Sequence, residues 1–351
     1  MCWESKLTDW YEEGHRDLPW RRTRDPYKIW VSEIMLQQTR VEAVIGYYHR
    51  FMEAFPTVEA LASAPIDTVL KYWEGLGYYS RARNLHKAAG QIVEMGGFPA
   101  TYEGIRALAG IGDYTAGAIW SIAFNQPAAA VDGTVLRVIS RLYVLDGDIM
   151  EEKNRRTIAD IVLAHVPEGK ANTYTQSLME LGATVCIPKN PRCEKCPLME
   201  ACQAYAQGRT SELPIKKKKD KQKVVDRYIG IIERRNPHTG NREVLMHRRP
   251  PKGLLQGLWE YPGVENDNIK EGFAAEFGLE VEAKGHLLDC EHIFTHRHWK
   301  MQVYEVQLTG SVPENDEWCW ASVDKQAELM IPTAFRKIQE YLAEPEQLRL
   351  V

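Results

Sequence analysis

Four cysteines spaced Cys186-x6-Cys193-x2-Cys196-x5-Cys202 constrain this chain more than any other feature. They fall in a stretch broken by Pro188, Pro191 and Pro197, residues that end helices and bend the backbone into a loop. Four thiolates at one centre repel each other and resist burial unless a cation or an iron-sulfur core neutralises them, so the cluster implies a ligand that helps fold its loop. Zinc sites favour two short C-x(2 to 4)-C pairs, and only the middle pair here is short. Spacing by itself leaves an iron-sulfur core and zinc both open, with disulfides as a third reading.

At 351 residues the chain is too long for one ordinary core, and two domains are expected. Residues 1–207 read as all-α. The segment Ile29–Phe55 sets Ile34, Val41, Val44, Tyr48, Phe51 and Phe55 at helical spacing. Further helices are predicted near 66–74, 79–95, 114–125, 133–145, 151–165 and 171–184, punctuated by Gly and Pro. The interval 208–225 holds GRTSELPIKKKKDKQK, which is polar, lysine-rich and aperiodic, as an exposed linker would be. From 226 to 351 the period changes: RYIGIIERR, EVLMHRR, LLDCEHIF and KMQVYEVQL read as strands, separated by the turn-formers NPHTGN and PPKG. Helical pieces near 268–277 and 332–343 complete an α+β domain.

A formal net charge of −4 excludes uniform, histone-like binding of nucleic acid, so a polyanion must be met by local patches. Candidates are Arg21, Arg22 and Arg24; Arg81 and Arg83; Lys189, Arg192 and Lys195; and Lys216 to Lys219 continued by Lys221 and Lys223. Each alone is more often a solvated face or flexible tether than a binding site. Cys2, Cys290 and Cys319 lack any framework spacing, which fits a reducing compartment. The N-terminal segment carries charges throughout, and no stretch has the apolar length of a membrane span. A cytoplasmic protein without membrane contact is expected.

Three segments carry candidate chemistry. In Leu108-Ala-Gly110-Ile-Gly112-Asp-Tyr114, two glycines permit a tight turn into a new helix, whose N-terminal N–H groups and dipole suit a phosphate. A plain helix-packing corner fits the same residues. Asp132 in VDGTVLR precedes an apolar-periodic run and reads as an N-cap. A carboxylate there stays ionised and can face developing positive charge. Glu33 in WVSEIMLQQTR shares a helix face with Trp30, Gln37 and Val44; burial there would raise its pKa and make it a general acid, whereas an exposed position would leave an ordinary surface glutamate.

Taken together, the cysteine run, L-x-G-I-G-x-Y-T-A and V-D-G-x-V-x-R resemble the helix-hairpin-helix DNA glycosylases of the endonuclease III superfamily. SEIMLQQTRVEAV, GLGYYSRARNLH and the strand-rich C-terminal part make the chain similar to their MutY-type adenine glycosylase branch. The resemblance implies an all-α helix-hairpin-helix glycosylase domain with one [4Fe–4S] cluster on Cys186, Cys193, Cys196 and Cys202, followed by an α+β Nudix-like domain. It implies a monomer that acts on double-stranded DNA holding adenine opposite 8-oxoguanine or guanine. Glu33 matches the acid that protonates the adenine ring, and Asp132 the carboxylate that stabilises the oxocarbenium-like sugar. Both make sense for N-glycosidic cleavage, which needs a better leaving group on one side and charge stabilisation on the other.

Tyr114 occupies the position where lyase members carry a nucleophilic lysine, and a phenol cannot form a Schiff base. A monofunctional enzyme is therefore expected, with a bifunctional glycosylase/lyase for oxidised pyrimidines and a non-catalytic lesion-binding protein as competitors. The base must leave the stack. Gln38 and Tyr78 match wedge residues; Thr39 and Leu76 match contacts to the opposite base. Trp20, Arg21 and Glu180 match positions near the adenine pocket, and Gly110 and Gly112 the hairpin. GLWEYPG carries the Nudix likeness, but KEGFAAEFGLEVE lacks the arginine and paired glutamates that hold magnesium, so no diphosphate hydrolysis is expected. Phe294-Thr295-His296 matches an 8-oxoguanine-reading Phe-Ser-His segment with its hydroxyl retained. Thr134 stands where the family usually has asparagine, offering one hydroxyl in place of a carboxamide.

Overall fold

The computed structural model describes residues 2–217 and 222–344, in two compact units that divide between Lys218 and Lys219. Lys218, Lys219 and Lys221 of the lysine run lie outside the described residues.

The first unit is helical: α1 (Trp3–Gly14), α2 (Pro26–Leu36), α3 (Val41–Ala54), α4 (Val58–Ser63), α5 (Ile66–Trp73), α6 (Ser80–Glu94), α7 (Tyr102–Arg106), α8 (Asp113–Phe124), α9 (Gly133–Tyr143), α10 (Glu152–Ala164), α11 (Ala171–Thr184) and α12 (Gln203–Ala206). Capping explains several starts. Asp25, Thr57, Thr101 and Asp132 each accept a backbone N–H with the side chain, satisfying donors that a helix leaves unpaired. Helix α11 is the hub of the cavity-bearing half, packing on α1, α8 and α9. Its buried Tyr174, Leu178 and Leu181 join Leu7, Val135, Val138 and Ile139 in one core.

Two expectations are corrected. The helical run predicted over Ile29–Phe55 is two helices, because the chain turns at residues 37–40 with Gln38 in the left-handed region at φ 58°. The linker expected over 208–225 is shorter, since its first residues pack on the helical unit. Leu213 is buried, its carbonyl accepts from Arg141 Nε at 2.9 Å, and Ile149 N–H donates to Ile215 O at 3.0 Å. At its other end the first strand already begins at Lys223.

The second unit contains β1 (Lys223–Ile231), β2 (Glu233–Arg235), β3 (Arg242–Arg248), β4 (Trp259–Glu260), β5 (Gly263–Val264), α13 (Ile269–Phe277), β6 (Val281–Ile293), β7 (Arg297–Leu308), β8 (Trp318–Ala321), α14 (Val323–Glu328) and α15 (Arg336–Ala343). One sheet runs β5-β1-β7-β6, with β1 and β7 parallel; the other runs β2-β3-β4 with β8 also on β3. Val225, Ile229, Trp299, Met301, Phe335 and Ile338 fill a core against α15. Buried Glu260 is balanced by Arg249 Nη1 at 2.6 Å and His247 Nδ1 at 3.2 Å, as a carboxylate removed from water requires. Among the described residues no helix is long and apolar enough to cross a membrane.

Candidate active site

A cavity of about 620 Å³ opens in the helical unit, within the roughly 300–1,000 Å³ usual for small-ligand sites. Glu33 from α2, Tyr114 from α8 and Asp132 from the start of α9 all line it, with Trp20, Arg21, Gln38 and Thr39. Residues far apart in sequence meet there because α2 packs on α8 and both α8 and α9 pack on α11.

Glu33 is 5% exposed and accepts a hydrogen bond from Tyr114 Oη at 2.6 Å on Oε2. Burial pushes its carboxyl up from 4.5 to about 7; the phenol's hydrogen bond opposes this, and the nearby Asp132 charge adds to it. Burial and the same two carboxylates raise Tyr114 well above a phenol's ordinary value, so it stays a donor. Near neutral pH Glu33 therefore holds a proton for part of the time, as a general acid must.

Asp132 caps α9: Oδ1 accepts from Thr134 N–H at 2.9 Å and Val135 N–H at 2.7 Å. Burial raises its pKa, against which work these two N–H groups, the Thr134 hydroxyl and Arg137. Thr134 reaches Asp132 through its backbone N–H, a contact that does not depend on which side chain stands at 134. Its methyl group needs room, and α11 supplies it: a Cβ built on Gly182 would lie 2.0 Å from Thr134 Cγ2.

Glu180 is not among the cavity-lining residues and lies one side chain behind them, next to Arg21. It is 2% exposed, takes Arg16 Nη2 and Arg21 Nη2 each at 2.8 Å, and fixes the Arg21 side chain that does line the cavity. Burial raises the Glu180 carboxyl, but hydrogen bonds from Arg16 and Arg21 outweigh it and hold the group at about 2. Trp20 is buried edge-on against Tyr48. Sequence reasoning missed Gln176, Met179 and Arg155, which also line the cavity. Gln176 had a signal: it follows Asn172 by four positions on a buried helix face, and its Nε2 donates to Asn172 Oδ1 at 3.2 Å. Arg155 had none, because an arginine on a polar helix surface is unremarkable.

Gln38 and Tyr78 are exposed, both with positive φ, at two separate turns. One guanidinium joins those turns. Arg81 Nη1 donates to the carbonyls of Ile34 at 2.8 Å and Gln37 at 2.5 Å, and Nη2 to Leu76 at 3.1 Å and Gly77 at 3.2 Å. Arg81, read from sequence as part of a phosphate-facing patch, is therefore spent on backbone, and burial lowers its pKa to about 10. Thr39 sits beside Gln38, while Leu76 is buried. Gly110 adopts φ 75° and a Cβ there would lie 2.6 Å from Asn84, so glycine is required; Gly112 is extended, faces open space and caps α8. In the second unit Phe294, Thr295 and His296 form the β6–β7 turn, with Phe294 between the rings of His292 and Trp299 and His296 exposed.

The four loop cysteines are free thiols around one small cavity, shared with Arg141. Burial pushes Cys196 up to about 12, and its three neighbours add to the rise, so four bare thiolates do not coexist there. Arg141, 2% exposed, faces this space with no carboxylate partner among the described residues; it donates to Cys186 Sγ at 3.4 Å and to the carbonyls of Ile187 and Pro188. Among the described residues, no three His, Cys, Asp or Glu side chains gather to hold a single metal ion. Four thiols around one small cavity, beside a buried cation, fit an anionic core.

A family description, "HhH-GPD superfamily base excision DNA repair protein", matches residues 31–163, and "NUDIX domain" matches residues 237–341. The first places the cavity in a DNA glycosylase of the helix-hairpin-helix class. A solved thermostable thymine-DNA glycosylase is 32% identical, with a TM-score of 0.53 over 58% of this chain and 95% of that one. Endonuclease III in a DNA complex, 22% identical with a TM-score of 0.50 over 58% of this chain and 94% of that one, shares the fold. The adenine DNA glycosylase of Rattus norvegicus is 34% identical over 95% of this chain and 76% of its own length. The chain belongs to the adenine DNA glycosylase family.

Two predictions follow from the cavity's packing. Between pH 4.5 and about 7 folded Glu33 keeps a proton that the unfolded chain has lost, so stability falls as pH rises through that window. The full effect is about 3 kcal/mol. Glu33→Gln, which cannot ionise, should raise Tm more at pH 8 than at pH 5 in paired thermal melts. Gly182→Ala should push Thr134 away from Asp132, lowering single-turnover excision by at least about tenfold while far-UV circular dichroism is unchanged.

Proposed function

We propose that this enzyme removes adenine opposite 8-oxoguanine or guanine from duplex DNA, turning the nucleotide into the Glu33–Tyr114–Asp132 cavity and hydrolysing its N-glycosidic bond. The observation that carries this reading is a buried carboxyl hydrogen-bonded to a phenol, in the same cavity as a backbone-capped aspartate. Glu33 gives its proton to a ring nitrogen of the base, so adenine departs neutral. Asp132 faces the cationic sugar that remains, and water adds at the anomeric carbon, losing its proton to the Glu33 carboxylate, to leave an abasic site. Tyr114 keeps Glu33 oriented and, being a phenol, offers no amine for lyase chemistry. With its Nε2 committed to Asn172, Gln176 has a carbonyl oxygen to offer the exocyclic amine of adenine.

Gln38 and Tyr78 fill the gap left by the extruded base, with Thr39 and Leu76 beside them at the opposite base. Gly110 and Gly112 hold a DNA phosphate at the start of α8. Phe294, Thr295 and His296 read 8-oxoguanine. The four cysteines hold a [4Fe–4S] cluster, which neutralises their thiolates and organises the loop, with Arg141 balancing its charge. The protein acts as a monomer on nucleoid DNA in the cytoplasm, in keeping with its free thiols.

Purified protein incubated with adenine:8-oxoguanine duplex and then alkali should give strand breaks, with fewer from adenine:guanine and none from adenine:thymine. Equal cutting of all three would overturn the specificity, and a borohydride-trapped adduct the monofunctional reading. Asp132→Asn should lower excision by roughly 10²–10³-fold while binding persists. Because Glu33 must carry its proton, the single-turnover rate should fall as pH rises through about 7, and Glu33→Gln should remove that limb with the activity. For the cofactor, equal iron and acid-labile sulfide with broad visible absorption is expected; a colourless zinc protein would refute the cluster.

A further inference from the structure

We propose that Arg155 is a positioning residue that grips a backbone phosphate flanking the extruded nucleotide, an inference that rests on the base-extrusion reading above. Arg155 belongs to α10, yet it lines the same cavity as Asp132, Gly133 and Thr134 at the start of α9. It is exposed, whereas Glu33 is buried. A nucleotide entering base first has the same order, with the base deep and its phosphodiesters left at the mouth.

Charge singles out this arginine. Three arginines line the cavity: Arg16, Arg21 and Arg155. Arg16 and Arg21 share Glu180. Arg155 makes no ion pair among the described residues, although its neighbour Arg156 pairs with Glu152 at 3.0 Å on the same helix. The cavity also presents the carboxylate of Asp132, which repels an incoming polyanion. An uncommitted guanidinium at the mouth offsets that repulsion and presents a fork of N–H donors that matches phosphate oxygens. Arg155 touches neither the base nor the reacting carbon; it acts by holding the sugar-phosphate in register with Asp132.

The test is binding of the full chain, in the Asp132→Asn background that prevents turnover, to adenine:8-oxoguanine duplex over a series of salt concentrations. Arg155→Gln should weaken binding by about tenfold near 0.1 M salt and reduce the slope of log Kd against log salt by about one. Arg155→Lys should restore the slope, and Arg156→Gln should leave it unchanged. A neutral methylphosphonate is then placed in turn at each phosphate flanking the adenosine. At one of the two it should weaken binding by the unsubstituted protein but not by Arg155→Gln. An unchanged slope, or equal sensitivity of both proteins at both phosphates, would overturn the proposal. Binding is read without excision, so a protein that fails to release adenine would sink the functional reading and leave this result standing on its own.

Discussion

The hydrogen bond from Tyr114 to Glu33 is the contact around which the helical unit's chemistry is arranged. A carboxyl taken out of water would ordinarily be costly, and a charged one more so. Placing a phenol 2.6 Å away supplies one partner and leaves the proton equilibrium near neutrality. A stronger partner would undo this. Glu180, only one helix away, is just as buried but faces two arginines, and its carboxyl is held at about 2. The two glutamates differ in protonation because one meets a neutral donor and the other two cations.

Helix α9 connects that cavity to the cysteine loop. Asp132 caps its N-terminus, Arg137 donates to the carbonyls of Cys186 and Gly182, and Arg141, one turn on, reaches the Cys186 sulfur and the next two carbonyls. The loop is therefore tied by two guanidiniums to the helix whose first turn orients Asp132. The cluster, as proposed, needs no contact with DNA to matter, since a collapsed loop would release the face of α9 that sets the direction of Asp132.

Much of this was legible in the sequence. The change of period near residue 226 separated the helical part from the strand-rich part, and the predicted helices from 66 to 184 agree with those observed to within a residue or two. Errors arose where backbone geometry depends on a distant side chain. Apolar spacing continues smoothly through Gln37–Arg40, yet the chain turns there, and the carbonyls of that turn are met by Arg81. Lysine-rich composition suggested a long linker, but Leu213 is apolar and finds a buried place beside Arg141. Composition averages over such single anchoring residues.

What the sequence determined by itself was the set of chemical parts: two carboxyl groups, a phenol in place of an amine, four thiols, a glycine hairpin. These depend on residue type and local spacing, which a linear chain displays in full. Only the tertiary structure decided which Glu is dry and which is salt-bridged, that Thr134 fits because Gly182 lacks a side chain, and that Arg155 reaches the mouth of the cavity. Burial, charge pairing and steric fit are properties of neighbours far apart in sequence, and they exist only once α2, α8, α9, α10 and α11 have packed.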